Sequence, residues 1–306
     1  MNVPRQNRFR DATFALKLTF LFLFLGLSAR AADTIYVSDS TRNAIYKFTP
    51  DGVGTVFASS GLNNPLGLAF DQSGNLFVAS AYNHTIFRYT PGGVGSVFAS
   101  ADLNNPVGLA FDSSGNLFVS DNGNNVIMKY TPGGVGSVFA SGLSEPNGLV
   151  FDAGGNLFVA NALNNTIEKI TPGGTRSVFA STGYPEGLAF DLAGNLFAAT
   201  GTTIGKFAPN GTGTQFALFT AGAPSGVAFD SSGYLYAANW YTHQIIKYAP
   251  DGTGSVYDTS QSTLYGPSFF AIQPGLPVPE PSVPVLLLLG TGFFALSFRR
   301  SMPKAS

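Results

Sequence analysis

Along most of this chain apolar residues alternate with small or polar ones in runs of five or six, and they do not recur at the three-to-four spacing of a helix face. The stretch beginning at Pro106 holds four such runs: PVGLAF, NLFVSD (116–121), VIMKYT (126–131) and GSVFAS (136–141). Turn formers separate them. In Asp-x-x-Gly-Asn the Asp side chain can cap backbone N–H groups and the Gly can take a positive φ. In Thr-Pro-Gly-Gly the Pro fixes φ while a Gly allows the left-handed conformation. The pattern predicts four short antiparallel strands, called a to d.

The same unit recurs. FDQSGNLFVAS starts at Phe70, FDSSGNLFVSD at Phe111, FDAGGNLFVAN at Phe151, FDLAGNLFAAT at Phe190 and FDSSGYLYAAN at Phe229. Their aspartates, Asp71, Asp112, Asp152, Asp191 and Asp230, stand 41, 40, 39 and 39 residues apart, the period of a four-stranded propeller blade. Strand a begins at Pro65, Pro106, Pro146, Pro185 and Pro224, with an altered sixth copy, PSFFAI, from Pro267. Strands b, c and d begin earlier, with TIYVSD (34–39), AIYKFT (44–49) and GTVFAS (54–59). A chain that opens on b and ends on a is expected to complete its first blade with its last strand. The expected fold is therefore all-β: a six-bladed β-propeller with four strands per blade, closed three plus one, with no unpaired sheet edge at the junction.

Composition agrees. Twenty-eight Phe beside 37 Gly and 19 Pro match aromatic strands joined by tight turns, and with 44% hydrophobic and 11% charged residues the chain can bury a large core. There is no cysteine, which excludes disulfides and thiolate sites. Residues 32–275 hold eight Lys or Arg against fifteen Asp or Glu, a balance that opposes phosphate, so nucleic acid is not an expected partner.

Both ends of the chain carry targeting signals. Arg5, Arg8, Arg10 and Lys17 precede the apolar LTFLFLFLGL (18–27) and Ala29-Arg30-Ala31, the form of a signal peptide cut by signal peptidase. Near the other end, Pro279-Glu280-Pro281 is followed by an apolar run from Ser282 to Phe298, then Arg299, Arg300 and Lys304. That run is about long enough to span a thin bilayer core, and the basic end would stay cytoplasmic. The expected organisation is a signal peptide (1–31), a propeller (32–273), a linker (274–281), a transmembrane or sorting helix (282–298) and a basic tail (299–306).

The repeated Pro-x-Gly-Leu-Ala-x-Asp-x-x-Gly-Asn-Leu-Phe-Val unit resembles the NHL repeat, whose family forms six-bladed propellers used mainly to bind partners. Related propellers include metal-dependent lactonases and lyases. The Pro279-Glu280-Pro281, apolar helix and Arg299-Arg300 succession is similar to the PEP-CTERM sorting signal. That resemblance implies a Gram-negative-type bacterium, an inner-membrane intermediate, processing by an exosortase, and release to the cell surface or exopolysaccharide matrix.

In such a ring the a-to-b and c-to-d turns share one face and are monotonous, whereas the b-to-c and d-to-a loops share the other and vary. A binding site is expected on the variable face. Its polar-tipped aromatics are Tyr82, Trp240 and Tyr241, with Tyr184 and Tyr265, and they suit a carbohydrate or protein partner. Asn147 and Glu186 hold the middle of Pro-x-Gly on neighbouring blades, with Asp39, Asp121, Glu145, Asn161 and Asn239 expected nearby. No cofactor is expected of a binder. Under the alternative, a gluconolactonase-like enzyme, Glu186, Asn147 and Asp121 would hold Ca²⁺ or Mg²⁺ at the pore mouth. The first-blade acidic position that such propellers use is not evident. Asn and Asp in the b-to-c loops also have a purely structural use in capping backbone groups. His84 and His243 lack a third ligand at metal spacing, and no Gly-x-Ser-x-Gly elbow is present. A base recurs in every c strand (Lys47, Arg88, Lys129, Lys169, Lys206, Lys247), as expected for a solvated strand face.

Overall fold

The computed structural model describes residues 31–258 and 264–275, and the propeller is the compact unit Asp33–Pro274. The expected signal peptide, apart from Ala31, and the expected sorting segment 282–298 lie outside the described residues. Among the described residues no helix is long and apolar enough to cross a membrane.

Among the described residues twenty-four strands form six four-stranded antiparallel sheets. Blade I is closed as expected: β24 (Pro267–Gln273) pairs with β1 (Thr34–Asp39), followed outward by β2 (Ala44–Phe48) and β3 (Gly54–Ala58). Blade II comprises β4 (Pro65–Phe70), β5 (Leu76–Ser80), β6 (Thr85–Tyr89) and β7 (Gly95–Ala99). Blade III comprises β8 (Pro106–Phe111), β9 (Leu117–Asp121), β10 (Val126–Tyr130) and β11 (Gly136–Ala140). Blade IV comprises β12 (Pro146–Phe151), β13 (Leu157–Asn161), β14 (Thr166–Ile170) and β15 (Arg176–Ser181). Blade V comprises β16 (Pro185–Phe190), β17 (Leu196–Thr200), β18 (Thr203–Phe207) and β19 (Gly213–Leu218). Blade VI comprises β20 (Pro224–Phe229), β21 (Leu235–Asn239), β22 (Gln244–Tyr248) and β23 (Gly254–Val256).

The turns follow from their residues. In blade III the Asp112 Oδ1 accepts the N–H groups of Ser114 (2.9 Å) and Asn116 (2.8 Å), and Gly115 takes φ +80°. That arrangement satisfies backbone donors that no strand partner can reach.

Blades adhere through aromatic trios. The ring of Phe118 in β9 meets Phe139 of its own blade and Phe151 of the next, edge to face, at 4.9 and 5.0 Å between centroids. Phe77, Phe158 and Phe197 repeat the arrangement around the ring. Each such contact contributes about 0.5–1.5 kcal/mol beyond burial, so the recurrent Phe is the inter-blade adhesive.

The c-strand bases are more engaged than a solvated face would require. Lys129 lies 5.2 Å above the Phe118 ring and 4.0 Å from Asp112, and Lys169, Lys206 and Lys247 repeat this pairing with an aromatic ring and a turn Asp. Strand pairing sets Lys129 opposite Phe118, so the aliphatic stem covers the ring while the ammonium reaches the turn.

Candidate functional site at the axial mouth

The six a strands line the propeller axis. In β4, β8, β12, β16 and β20 the ladder is interrupted between Pro and the residue three later, so the x-Gly pair leaves the regular pairing. These glycines permit close approach. A Cβ on Gly67, Gly108, Gly148, Gly187 or Gly226 would stand closer than 3.0 Å to the carbonyl oxygen of residue x in the next blade. The x residues, Leu66, Val107, Asn147, Glu186, Ser225 and Ser268, then encircle the channel and line a mouth on the loop face.

This mouth is a cavity of ≈ 500 Å³. Tyr82, Asn147, Glu186, Trp240 and Tyr241 all line it, so the structure brings together the five residues singled out from the sequence. Glu145 and Tyr184 join them, with the Tyr184 hydroxyl donating to Glu145 Oε2 at 3.1 Å. Asn64, Asn105 and Asn122 complete an amide-rich wall, in which Asn122 Nδ2 donates to Asn147 Oδ1 at 3.1 Å. Among the described residues no Lys, Arg or His lines the cavity. Tyr265 is not part of the lining; it stacks on His243 at 5.2 Å and lies under the Arg42 guanidinium at 4.6 Å.

Electrostatically, Glu186 is the distinctive group. Burial pushes its carboxyl up to about 7 from the ordinary 4.5, and among the described residues no counter-ion or hydrogen bond offsets the desolvation. It can therefore present either a carboxylic acid or a carboxylate near neutral pH. The Tyr184 hydroxyl is also raised, by burial first and then by Glu145 and Glu186.

Other acidic and amide residues expected near the mouth are instead enclosed in the blades. Asp39, Asp121 and Asn161 have no exposed surface and Asn239 has 3%. Each ends strand b and caps the loop entering strand a of the same blade. The Tyr265 N–H donates to Asp39 (2.7 Å), Asn104 N–H to Asp121 (2.8 Å) and Ser144 N–H to Asn161 (2.6 Å), while Asn239 Nδ2 donates to the Ala221 carbonyl (2.8 Å). The second Asp121 oxygen accepts Asn124 Nδ2 at 2.8 Å. Both oxygens are thus occupied, and burial raises this carboxyl despite those bonds. Glu186 and Asn147 face the cavity, whereas Asp121 is spent on loop closure, so the three do not form a cation cage. Among the described residues no group of three or more His, Asp, Glu or Cys could hold a metal ion.

A second ladder ties neighbouring blades. The last loop residue before strand c is left-handed (Asn43, His84, Asn125, Asn165), and its side chain accepts the N–H of the residue preceding the next Pro. These bonds are Asn64 to Asn43 (2.7 Å), Asn105 to His84 Nδ1 (2.9 Å), Glu145 to Asn125 (2.8 Å) and Tyr184 to Asn165 (2.8 Å). His84 therefore takes the part that Asn plays elsewhere, accepting through Nδ1.

Residues 103–130 match the NHL repeat, and residues 277–301 match the PEP-CTERM protein-sorting motif. No curated protein matches the chain. Among solved structures it is similar to a chain of a nidogen/laminin complex, with 20% identity, TM-score 0.71, and coverage of 79% of this chain and 98% of that one. It is similar also to virginiamycin B lyase from Staphylococcus aureus, with 18% identity, TM-score 0.61, and coverage of 80% and 95%. A gluconolactonase from Xanthomonas campestris aligns with 17% identity, TM-score 0.60, and coverage of 83% and 98%. At these identities the likenesses show the fold, which binding and enzymatic proteins share. The chain is a six-bladed β-propeller in which residues 103–130 match the NHL repeat, and its residues 277–301 match the PEP-CTERM protein-sorting motif, which implies an exported protein processed by an exosortase.

Proposed function

We propose that this exported propeller is a non-enzymatic binding protein of the cell surface or exopolysaccharide matrix, and that its axial mouth takes a neutral carbohydrate. One observation carries the reading: four aromatic side chains (Tyr82, Tyr184, Trp240, Tyr241), four asparagines (Asn64, Asn105, Asn122, Asn147), Glu145 and the desolvated Glu186 converge on one cavity that no cationic side chain among the described residues lines. Aromatic faces cover the C–H face of a sugar ring, and amides and a carboxyl match its hydroxyls. Signal peptidase would remove residues 1–31. The helix at 282–298 would hold the protein transiently in the inner membrane of a Gram-negative-type bacterium until an exosortase acts at Pro279-Glu280-Pro281. The lyase and gluconolactonase that share the fold keep a metal-dependent enzyme in view, but Asp121 is committed to capping, so such a site would need an oxygen ligand from elsewhere. A glycan array and an affinity pull-down from matrix extract test the reading. Retention of neutral glycans that weakens on Trp240→Ala supports it, and an array on which the protein retains none contradicts it.

A further inference from the structure

Five of the six inner strands carry glycine after residue x, and the sixth carries Phe269. This departure falls on the strand that closes the ring. The backbone of Phe269 is held by the buried Ser38, whose hydroxyl accepts its N–H at 3.0 Å, and neighbouring Ser268 is tied to the Ser225 hydroxyl through its carbonyl at 3.0 Å. Below the polar mouth lies a second chamber of ≈ 300 Å³, lined by Leu68, Leu109, Leu149, Leu188 and their glycines. Phe269 is the one residue common to the described linings of both chambers. Where the other five strands have glycine, the half-buried Phe269 lines both chambers.

We propose that Phe269 is the floor of the mouth, a partition that makes the site blind-ended and restricts it to the free end of a glycan chain, entering along the axis. The inference rests on the carbohydrate reading above and adds the direction of approach and the residue that sets it. A chain end can descend between the aromatic rim and the ring of x residues until its last sugar meets the phenyl face. An internal segment cannot, because its two continuing arms would both have to leave through the same mouth. The apolar floor also offers a surface for a sugar's C–H face, whereas the lower chamber has no polar side chain to replace lost hydroxyl hydration.

The test uses the exported chain, its Phe269→Gly variant, which restores the sequence of the other five blades, and Phe269→Leu, which keeps an apolar plug. Neutral oligosaccharides are arrayed twice, coupled through their reducing end or through their non-reducing end, and melting curves verify folding. The expected result is binding in one orientation only, a loss of about tenfold or more in Phe269→Gly, and retention within about threefold in Phe269→Leu. Binding that is indifferent to orientation, or unchanged in Phe269→Gly, overturns the partition while leaving the carbohydrate reading intact. An array that the parent does not bind at all overturns both. Should Phe269→Gly fail to fold, the orientation result on the parent alone decides.

Discussion

Gly136 lies directly opposite Tyr130 across the β10–β11 pair, and a Cβ on the glycine would stand 2.6 Å from the edge of the tyrosine ring. The same pairing recurs as Gly54 with Phe48, Gly95 with Tyr89, Gly213 with Phe207 and Gly254 with Tyr248. Blade IV departs from it at both positions together. Ile170 replaces the aromatic, Arg176 replaces the glycine, and the arginine reaches Glu168 at 3.8 Å and the Ser141 carbonyl. Here φ is not positive, so the glycine is kept for space and not for backbone freedom.

Gly136→Ala should therefore destabilise the fold by about 1–3 kcal/mol through overpacking. Adding Tyr130→Ile should recover part of that loss, since blade IV shows the smaller side chain tolerating a long one opposite. Equilibrium urea unfolding of the single and double variants measures both, and additive losses would contradict the pairing.

The inter-blade ladder gives a second expectation. His84→Ala leaves the Asn105 N–H without its acceptor and should cost about 1 kcal/mol, whereas His84→Asn, the residue used in three other blades, should stay within about 0.5 kcal/mol of the parent. A zinc-dependent melting temperature in the parent that disappears in His84→Asn would point to a metal-binding role instead.

Glu186 predicts a pH dependence of defined sign. With its carboxyl at about 7 folded and near 4.5 unfolded, the folded chain holds the extra proton between those values. Stability contributed by this group is thus greatest at low pH and falls as pH rises through that window, by at most about 3 kcal/mol. Glu186→Gln should remove this slope. Melting curves of parent and variant from pH 4.5 to 7.5 should converge at the acid end and separate above, with the variant more stable; parallel curves would contradict the buried-carboxyl reading.

Much of this was legible in the sequence. The period of about forty residues and the Asp-x-x-Gly-Asn turns give the blades, and the offset between TIYVSD at the start and PSFFAI at the end gives the closure. Tyr82, Asn147, Glu186, Trp240 and Tyr241 could be placed on one face because strand direction alternates. What could not be read was which polar residues turn inward. Asp121 and Asn122 are adjacent, yet one is enclosed as a cap and the other lines the mouth, since the strand end and the following one-turn 3-10 helix (Asn122–Asn124) rotate them apart. Phe269 did leave a signal, as the only x-Gly position without glycine, but its location between two chambers depends on the ring's closure.

The tail, outside the described residues, carries the export claim. If the PEP-CTERM motif directs processing, Glu280→Ala in the native host should accumulate as an uncleaved, membrane-bound form, whereas the parent should appear beyond the inner membrane without Arg299 and Arg300. Glu280 lies outside the apolar run and contributes little to insertion, so a simple anchor predicts no difference between the two. Fractionation and C-terminal mass spectrometry read the outcome.

The central claim, that the axial mouth is where this propeller binds a neutral carbohydrate, has a built-in reporter. Trp240 is the only tryptophan of the chain, lines the mouth, and is 43% exposed. Titrating the purified exported protein with neutral exopolysaccharide fragments from its host should give a saturable blue shift of tryptophan emission, as the indole leaves water, and Asn147→Ala should weaken it by about fivefold or more. Fragments that bind by calorimetry without moving the Trp240 emission, or that do not bind at all, would contradict the account.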